Sequence, residues 1–194
     1  MQKFERLEGI AAPFAMVNVD TDKIIPARFM IALTRTGLGR HLFEELRYDD
    51  DGAERADFIL NQAAYRGAQI LIADRNFGCG SSREHAVWAL TDFGIRCIVA
   101  PSFGDIFASN ARKNGLLLVR LSDAQCDALR DQLSAARDKR LIVDLDACTI
   151  ATPGGPAVAF AIDPDERRAL IEGLDDIART LRHERAIAQH EIAR

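Results

Sequence analysis

The sequence predicts an α/β fold on a mainly parallel central sheet, with an antiparallel hairpin added to it. Three observations predict it. Residues 69–73, 96–100 and 116–119 are short, continuously apolar runs, as expected of strands covered on both faces. The segments between them carry apolar residues at helical spacing, and each ends at a glycine. After them the pattern changes to strict alternation, which marks strands with one covered face.

The N-terminal third is the least regular part. Short apolar runs lead to Asn18-Val19-Asp20-Thr21-Asp22-Lys23-Ile24-Ile25-Pro26, where Asp and Thr favour a helix or turn start. Residues 27–47 follow, and Thr36-Gly37-Leu38-Gly39 within them suggests a mobile loop. Tyr48-Asp49-Asp50-Asp51-Gly52 reads as an acidic, solvated turn.

The middle of the chain is clearer. The run Gln69-Ile70-Leu71-Ile72-Ala73 is the first strand. Residues 82–93 are helical, with Ala86, Val87, Leu90 and Phe93 on one face and Gly94 as the stop. Arg96-Cys97-Ile98-Val99-Ala100 is the second strand, closed by Pro101. Residues 103–114 are helical through Phe103, Ile106 and Phe107, stopped by Gly115. Leu116-Leu117-Leu118-Val119 is the third strand. Ser122-Asp123-Ala124-Gln125 is a capping box, followed by the stripe Cys126, Leu129, Leu133. Strand–helix–strand–helix–strand argues for βαβ units.

Residues 141–146 and 158–162 alternate around the turn Pro153-Gly154-Gly155-Pro156, which predicts one antiparallel hairpin. Asp163-Pro164-Asp165-Glu166 opens a helix to Gly173, and Leu174, Ile177, Ala178 and Leu181 begin another. Residues 1–194 are expected to form one domain, with a flexible tail from about residue 183, where large apolar side chains become sparse.

Composition excludes several function classes. The apolar fraction is 48% and the charged fraction 28%, ordinary values for a globular protein. A net charge of −4 argues against nucleic acid as a partner. No apolar run approaches the ~20 residues of a membrane span, and no signal peptide is visible. Cys79, Cys97, Cys126 and Cys148 are widely spaced, and the four histidines form no HExxH. No metal site is expected on this chain, and reduced thiols in the cytoplasm are the expectation.

The segment richest in chemistry is Asn76-Phe77-Gly78-Cys79-Gly80-Ser81-Ser82-Arg83-Glu84-His85. It follows the carboxyl end of a predicted strand and opens a helix, where ligands bind in open α/β sheets. The helix start favours an anion, and Arg83 adds a planar fork suited to a carboxylate or phosphate. The same residues also fit a plain capping box, with Ser81 as N-cap and Glu84 three positions on. The segment fails GxGxxG at Arg83, and fails both the nucleophile elbow and the P-loop. Cys79 reads as either a nucleophile or a packing residue, and His85 as a satisfied partner within its own helix.

The segments 18–26 and 76–85 together resemble the small subunits of 3-isopropylmalate dehydratase, the swivelling-domain partners of the aconitase family. The resemblance continues through Arg35-Thr36-Gly37-Leu38-Gly39, Phe58-Ile59-Leu60-Asn61-Gln62, Trp88-Ala89-Leu90, Asp92-Phe93-Gly94-Ile95-Arg96 and Ser102-Phe103-Gly104-Asp105-Ile106-Phe107, to Gly173-Leu174-Asp175-Asp176-Ile177. It implies a three-layer swivelling β/β/α domain. It implies interconversion of 2- and 3-isopropylmalate in leucine biosynthesis, by a hydro-lyase active only with its large subunit. A [4Fe–4S] cluster belongs to that large subunit, and none to this chain.

By the same resemblance Ser81 is the catalytic base, Ser82 and Arg83 bind the substrate carboxylate, and Asp22 lies with them. The base and cap readings compete for Ser81, whose hydroxyl is expected to face the subunit interface. Specificity is implied for residues 27–43, where Leu33 or Leu38 would line an apolar pocket or belong to the core. Residues 27–47 are expected to stay mobile until the large subunit docks. Ala27-Arg28-Phe29 and Asn110-Ala111-Arg112-Lys113 depart from the commonest pattern, which leaves open a paralogue acting on citramalate, dimethylmalate or another alkylmalate.

Overall fold

The structure, a computed structural model, describes residues 1–192. Its strands are β1 (Arg6–Phe14), β2 (Ile70–Ala73), β3 (Cys97–Ala100), β4 (Leu117–Arg120), β5 (Arg140–Asp144), β6 (Thr149–Ala151) and β7 (Val158–Ala159). They form one seven-stranded sheet in the order β4-β3-β2-β1-β5-β6-β7. The pairings β1–β2, β2–β3 and β3–β4 are parallel, and β1–β5, β5–β6 and β6–β7 are antiparallel.

The strand that joins the two halves is β1, which the periodicity did not single out. Its first residues, Arg6 to Ile10, run antiparallel to β5, and its last, Ala11 to Phe14, run parallel to β2. Pro13 is accommodated because the Ala11 amide already makes the last bond on the β5 side, to the Lys139 carbonyl at 2.8 Å. The position two residues on faces past the end of β5, so the missing N–H leaves no ladder bond unmade.

The helices are α1 (Thr21–Ile24), α2 (Glu44–Arg47), α3 (Glu84–Phe93), α4 (Asp105–Asn114), α5 (Asp123–Ala135), α6 (Pro164–Glu172), α7 (Asp176–Leu181) and α8 (Glu184–Ile192). Side chains alternate across β2. Leu71 and Ala73 pack with Ala86, Val87 and Leu90 of α3 and Phe107 and Ala111 of α4. Ile70 and Ile72 face the other way, with Val99, Val119 and the α5 stripe Cys126, Leu129 and Leu133. Covering both faces is why these strands read as unbroken apolar runs. In β5 only Leu141 and Val143 are buried, so alternation appears there as expected.

Three expectations are corrected. The single hairpin of 141–146 with 158–162 is a three-stranded meander, because β6 lies between them and pairs with both β5 and β7. The tight turn before β6 uses Cys148 at φ 52°, which hides a three-residue strand from a periodicity reading. The helix expected from Ser82 begins at Glu84, and the one expected from Phe103 begins at Asp105. The predicted stops Gly94, Gly115 and Gly173 all sit at helix C-caps, and the Ser122–Gln125 capping box is formed.

Past His183 the chain is helical in α8, with no buried residue. The last part of the tail expected to be flexible, residues 193 and 194, lies outside the described residues. Among the described residues no helix is long and apolar enough to cross a membrane.

Candidate active site

The loops leaving β1, β2 and β3 meet at the carboxyl edge of the parallel half-sheet. They are held together by backbone bonds. Asn18 N donates to Arg75 O at 3.0 Å, Gly78 N to Val19 O at 2.7 Å, and Gly104 N to Phe77 O at 2.9 Å. Asn18 and Asn76 both take left-handed backbone conformations, at φ 53° and 60°, and the Asn76 side-chain amide donates to Asn18 Oδ1 at 2.8 Å. Asparagine tolerates that region better than most residues, so each loop reverses sharply at the point where the two touch.

Gly78 is required here. Its φ is +74°, and a Cβ on it would lie 2.2 Å from Cγ of Phe107. Only a glycine lets the loop after β2 pass so near the first turn of α4.

The Asp20–Asp22 turn divides its work. Asp20 is the N-cap of α1, its carboxylate accepting from Lys23 N at 2.8 Å. Thr21 is 2% exposed, and its hydroxyl donates to the Ser81 carbonyl at 2.9 Å. Asp22 is exposed and receives both terminal nitrogens of Arg83, with Nη2 to Oδ2 at 2.8 Å. The Arg83 side chain is only 9% exposed against 58% for Asp22. Its Nε is buried with no hydrogen-bond partner among the described residues.

Ser81 and Ser82 are both exposed. The capping reading of Ser81 is overturned: Arg83 is the N-cap of α3, in extended conformation, and no side chain caps that helix. The first turn of α3 therefore has no side-chain cap, its Ala86 N–H turning back to the Arg83 carbonyl at 3.3 Å, and its partial positive charge lies beside Ser81 and Ser82. The structure thus brings Asp22, Ser81, Ser82 and Arg83 to one edge.

Further contacts join this edge that the sequence did not announce. His85 donates from Nε2 to the Ala32 carbonyl at 3.0 Å, so its partner lies in the 27–43 segment and not in its own helix. Glu84 Oε1 accepts from Asn114 Nδ2 at 2.8 Å and from Trp88 Nε1 at 3.3 Å. The Arg35 guanidinium lies over the Trp88 ring, 5.4 Å from its centroid. Apart from the bond between Trp88 and Glu84 one turn apart in α3, these contacts join residues far apart in the chain, and no local pattern announces them.

Within 27–47 the structure separates two parts. Leu38, Leu42 and Phe43 are core residues, so Leu38 does not line a surface pocket. Gly39 N donates to Asp92 Oδ2 at 2.7 Å and anchors this part to α3. Met30, Ile31 and Leu33 are exposed, Leu33 at 97%.

Among the described residues no three His, Cys, Asp or Glu side chains are grouped to hold a metal ion. Burial pushes the Cys97 thiol far above its ordinary range and the Cys126 thiol up to about 11, which disfavours the thiolate a cluster needs. The described residues do not fit an iron–sulfur centre of their own.

Comparison with known proteins adds the decisive observation. The family model described as Aconitase C-terminal domain matches residues 1–124, and the one described as LeuD_N matches 127–164. The chain is 56% identical over 194 residues to the 3-isopropylmalate dehydratase small subunit of Gluconacetobacter diazotrophicus, covering 100% of this chain and 94% of that one.

The chain belongs to the 3-isopropylmalate dehydratase small-subunit family.

Another member, from Rhodopseudomonas palustris strain TIE-1, is 54% identical over 191 residues, covering 98% of this chain and 95% of the relative. The solved structure of a 3-isopropylmalate dehydratase from Methanocaldococcus jannaschii superposes with a TM-score of 0.70, at 23% identity, over 95% of this chain and 99% of that one. That likeness shows the shared fold of the family, the mixed α/β sheet described above.

Proposed function

We propose that the chain is the small subunit of a 3-isopropylmalate dehydratase, a hydro-lyase that interconverts 2- and 3-isopropylmalate in leucine biosynthesis. The observation that carries this is the 56% identity across the whole chain to a curated small subunit. The relatives' shared name favours isopropylmalate over citramalate, dimethylmalate or another alkylmalate, for which no observation speaks.

The reaction removes a proton from carbon next to a carboxylate, forms a double bond as hydroxide leaves, and then adds water back with the opposite regiochemistry. Ser81 is the proposed catalytic base. A serine hydroxyl is a very poor source of alkoxide at neutral pH, so it needs positive potential close by. The uncapped start of α3 and the guanidinium of Arg83 supply it. Ser82 and Arg83 hold the substrate carboxylate, and Asp22 orients the guanidinium fork. A [4Fe–4S] cluster on the large subunit would supply Lewis-acid chemistry for the departure of the hydroxyl.

The large subunit is the proposed partner, closing over the edge that carries Ser81 and the exposed Met30, Ile31 and Leu33. Residues 1–194 act as one swivelling domain in the cytoplasm, and residues 27–37 are its adaptable part.

The test is to mix the purified chain with its cluster-loaded large subunit and follow conversion of 2-isopropylmalate. The chain alone is expected to be inactive, and the mixture active. Full turnover by the iron-free chain alone, or a higher kcat/KM for citramalate or dimethylmalate in an alkylmalate panel, overturns the reading.

A further inference from the structure

We propose that Thr21 is a positioning residue for Ser81, holding it in the register that catalysis needs. The inference rests on the reading of Ser81 as the base.

Ser81 is exposed and caps no helix, so its own side chain fixes nothing. It sits in a loop with left-handed glycines at Gly78 and Gly80, the second one residue before it. Gly78 is wedged against Phe107, whereas a Cβ on Gly80 would meet only ordinary van der Waals neighbours, the nearest being Asp20 Cβ at 3.5 Å. Thr21 reaches across from a segment 60 residues earlier.

It makes two bonds to this loop from one buried residue. Its backbone N–H donates to Cys79 O at 3.0 Å, and its hydroxyl donates to Ser81 O at 2.9 Å. The two acceptors flank Gly80, so the loop is pinned on both sides of its loosest residue. Thr21 itself is fixed, since it is 2% exposed and its carbonyl accepts from Ile25 N at 3.0 Å. The next residue, Asp22, grips Arg83. A single turn thus holds the proposed base through its carbonyl and the proposed anion fork through its guanidinium. Their spacing is set from outside the loop that carries both.

Thr21→Val keeps the shape and the backbone bond to Cys79 and removes only the tether to Ser81. A shift of about 1 Å at a reacting group costs on the order of 100-fold in rate. In the assembled enzyme, Thr21→Val is therefore expected to lower kcat by about 10- to 100-fold with KM changed less than about threefold.

The pair Thr21→Ser and Thr21→Ala controls for packing, because both lose the methyl group and only the first keeps the hydroxyl. Thr21→Ser is expected to retain most of the turnover and Thr21→Ala to fall with Thr21→Val. Hydrogen exchange of the free chain is expected to quicken around residues 78–83 in Thr21→Val and Thr21→Ala, and not in Thr21→Ser. Equal kcat in Thr21→Ser and Thr21→Ala, or wild-type kcat in Thr21→Val, overturns the proposal. Ser81→Ala is assayed alongside. If it keeps normal turnover, the reading of Ser81 itself falls; if it is inactive while Thr21→Val is normal, only the positioning role falls.

Discussion

Arg83 gives both terminal nitrogens to Asp22, a residue 61 positions earlier in the chain, and is itself almost buried while Asp22 is open to solvent. The fork is therefore aimed before any substrate arrives, and a carboxylate already shows the geometry that it accepts. Lysine would keep the charge and lose the two-point grip. Arg83→Lys is expected to raise KM about 10- to 100-fold, the loss of a charge-assisted bond of roughly 1.5–3 kcal/mol. Steady-state kinetics of the assembled enzyme check it, and an unchanged KM removes Arg83 from the substrate's binding.

Ser81→Ala is expected to reduce turnover by at least about 100-fold. Because Ser81 is exposed and caps nothing, the folding stability of this variant is expected to stay within about 0.5 kcal/mol of the parent. Urea unfolding and co-elution with the large subunit measure the second part. A large loss of stability would return Ser81 to a structural role.

Gly78→Ala places a methyl group against the Phe107 ring at a backbone angle that alanine resists. The expected cost is about 1–3 kcal/mol from overpacking and strain together. Gly52→Ala has a similar φ, +81°, and open space around it, so it carries the strain alone. The difference between their melting temperatures isolates the contact with Phe107.

Burial holds the Cys126 thiol protonated up to about 11, well above its ordinary range. The unfolded chain releases that proton at lower pH than the folded one does. The stability contribution is complete at neutral pH and is lost as pH rises from the ordinary thiol range towards 11. Urea midpoints are expected to fall over that window, with a shallower fall in Cys126→Ala. At pH 8 an alkylating reagent is expected to modify the part-exposed Cys79 and Cys148 of the folded chain and to spare Cys97 and Cys126.

The legible parts of this molecule were those whose causes are local. The runs Ile70–Ala73 and Cys97–Ala100 announce themselves because helices cover both faces. Ser122 and Gln125 form their reciprocal cap within four residues. The illegible parts depend on distant partners. Arg6–Phe14 contains a proline and a charged start, and becomes a strand because β2 and β5 flank it. Ser81–Glu84 has the letters of a capping box. Yet Thr21 and Asp22 bond Ser81 and Arg83 from across the edge, Arg83 is extended, and the helix starts later. The loop that carries the proposed chemistry was found by its letters, whereas its conformation is imposed from across the sheet edge.

The double allegiance of β1 bears on how the chain reaches its native state. Arg6 pairs with Asp144, and Phe14 with Ala73. An N-terminal fragment ending before β5 would leave β1 as an unsatisfied sheet edge, and the remaining segment would have no template to add to. The two family-matched regions are therefore expected not to fold as autonomous units. Such non-local closure predicts slow, late consolidation of the sheet and a sticky intermediate until the distal strands arrive.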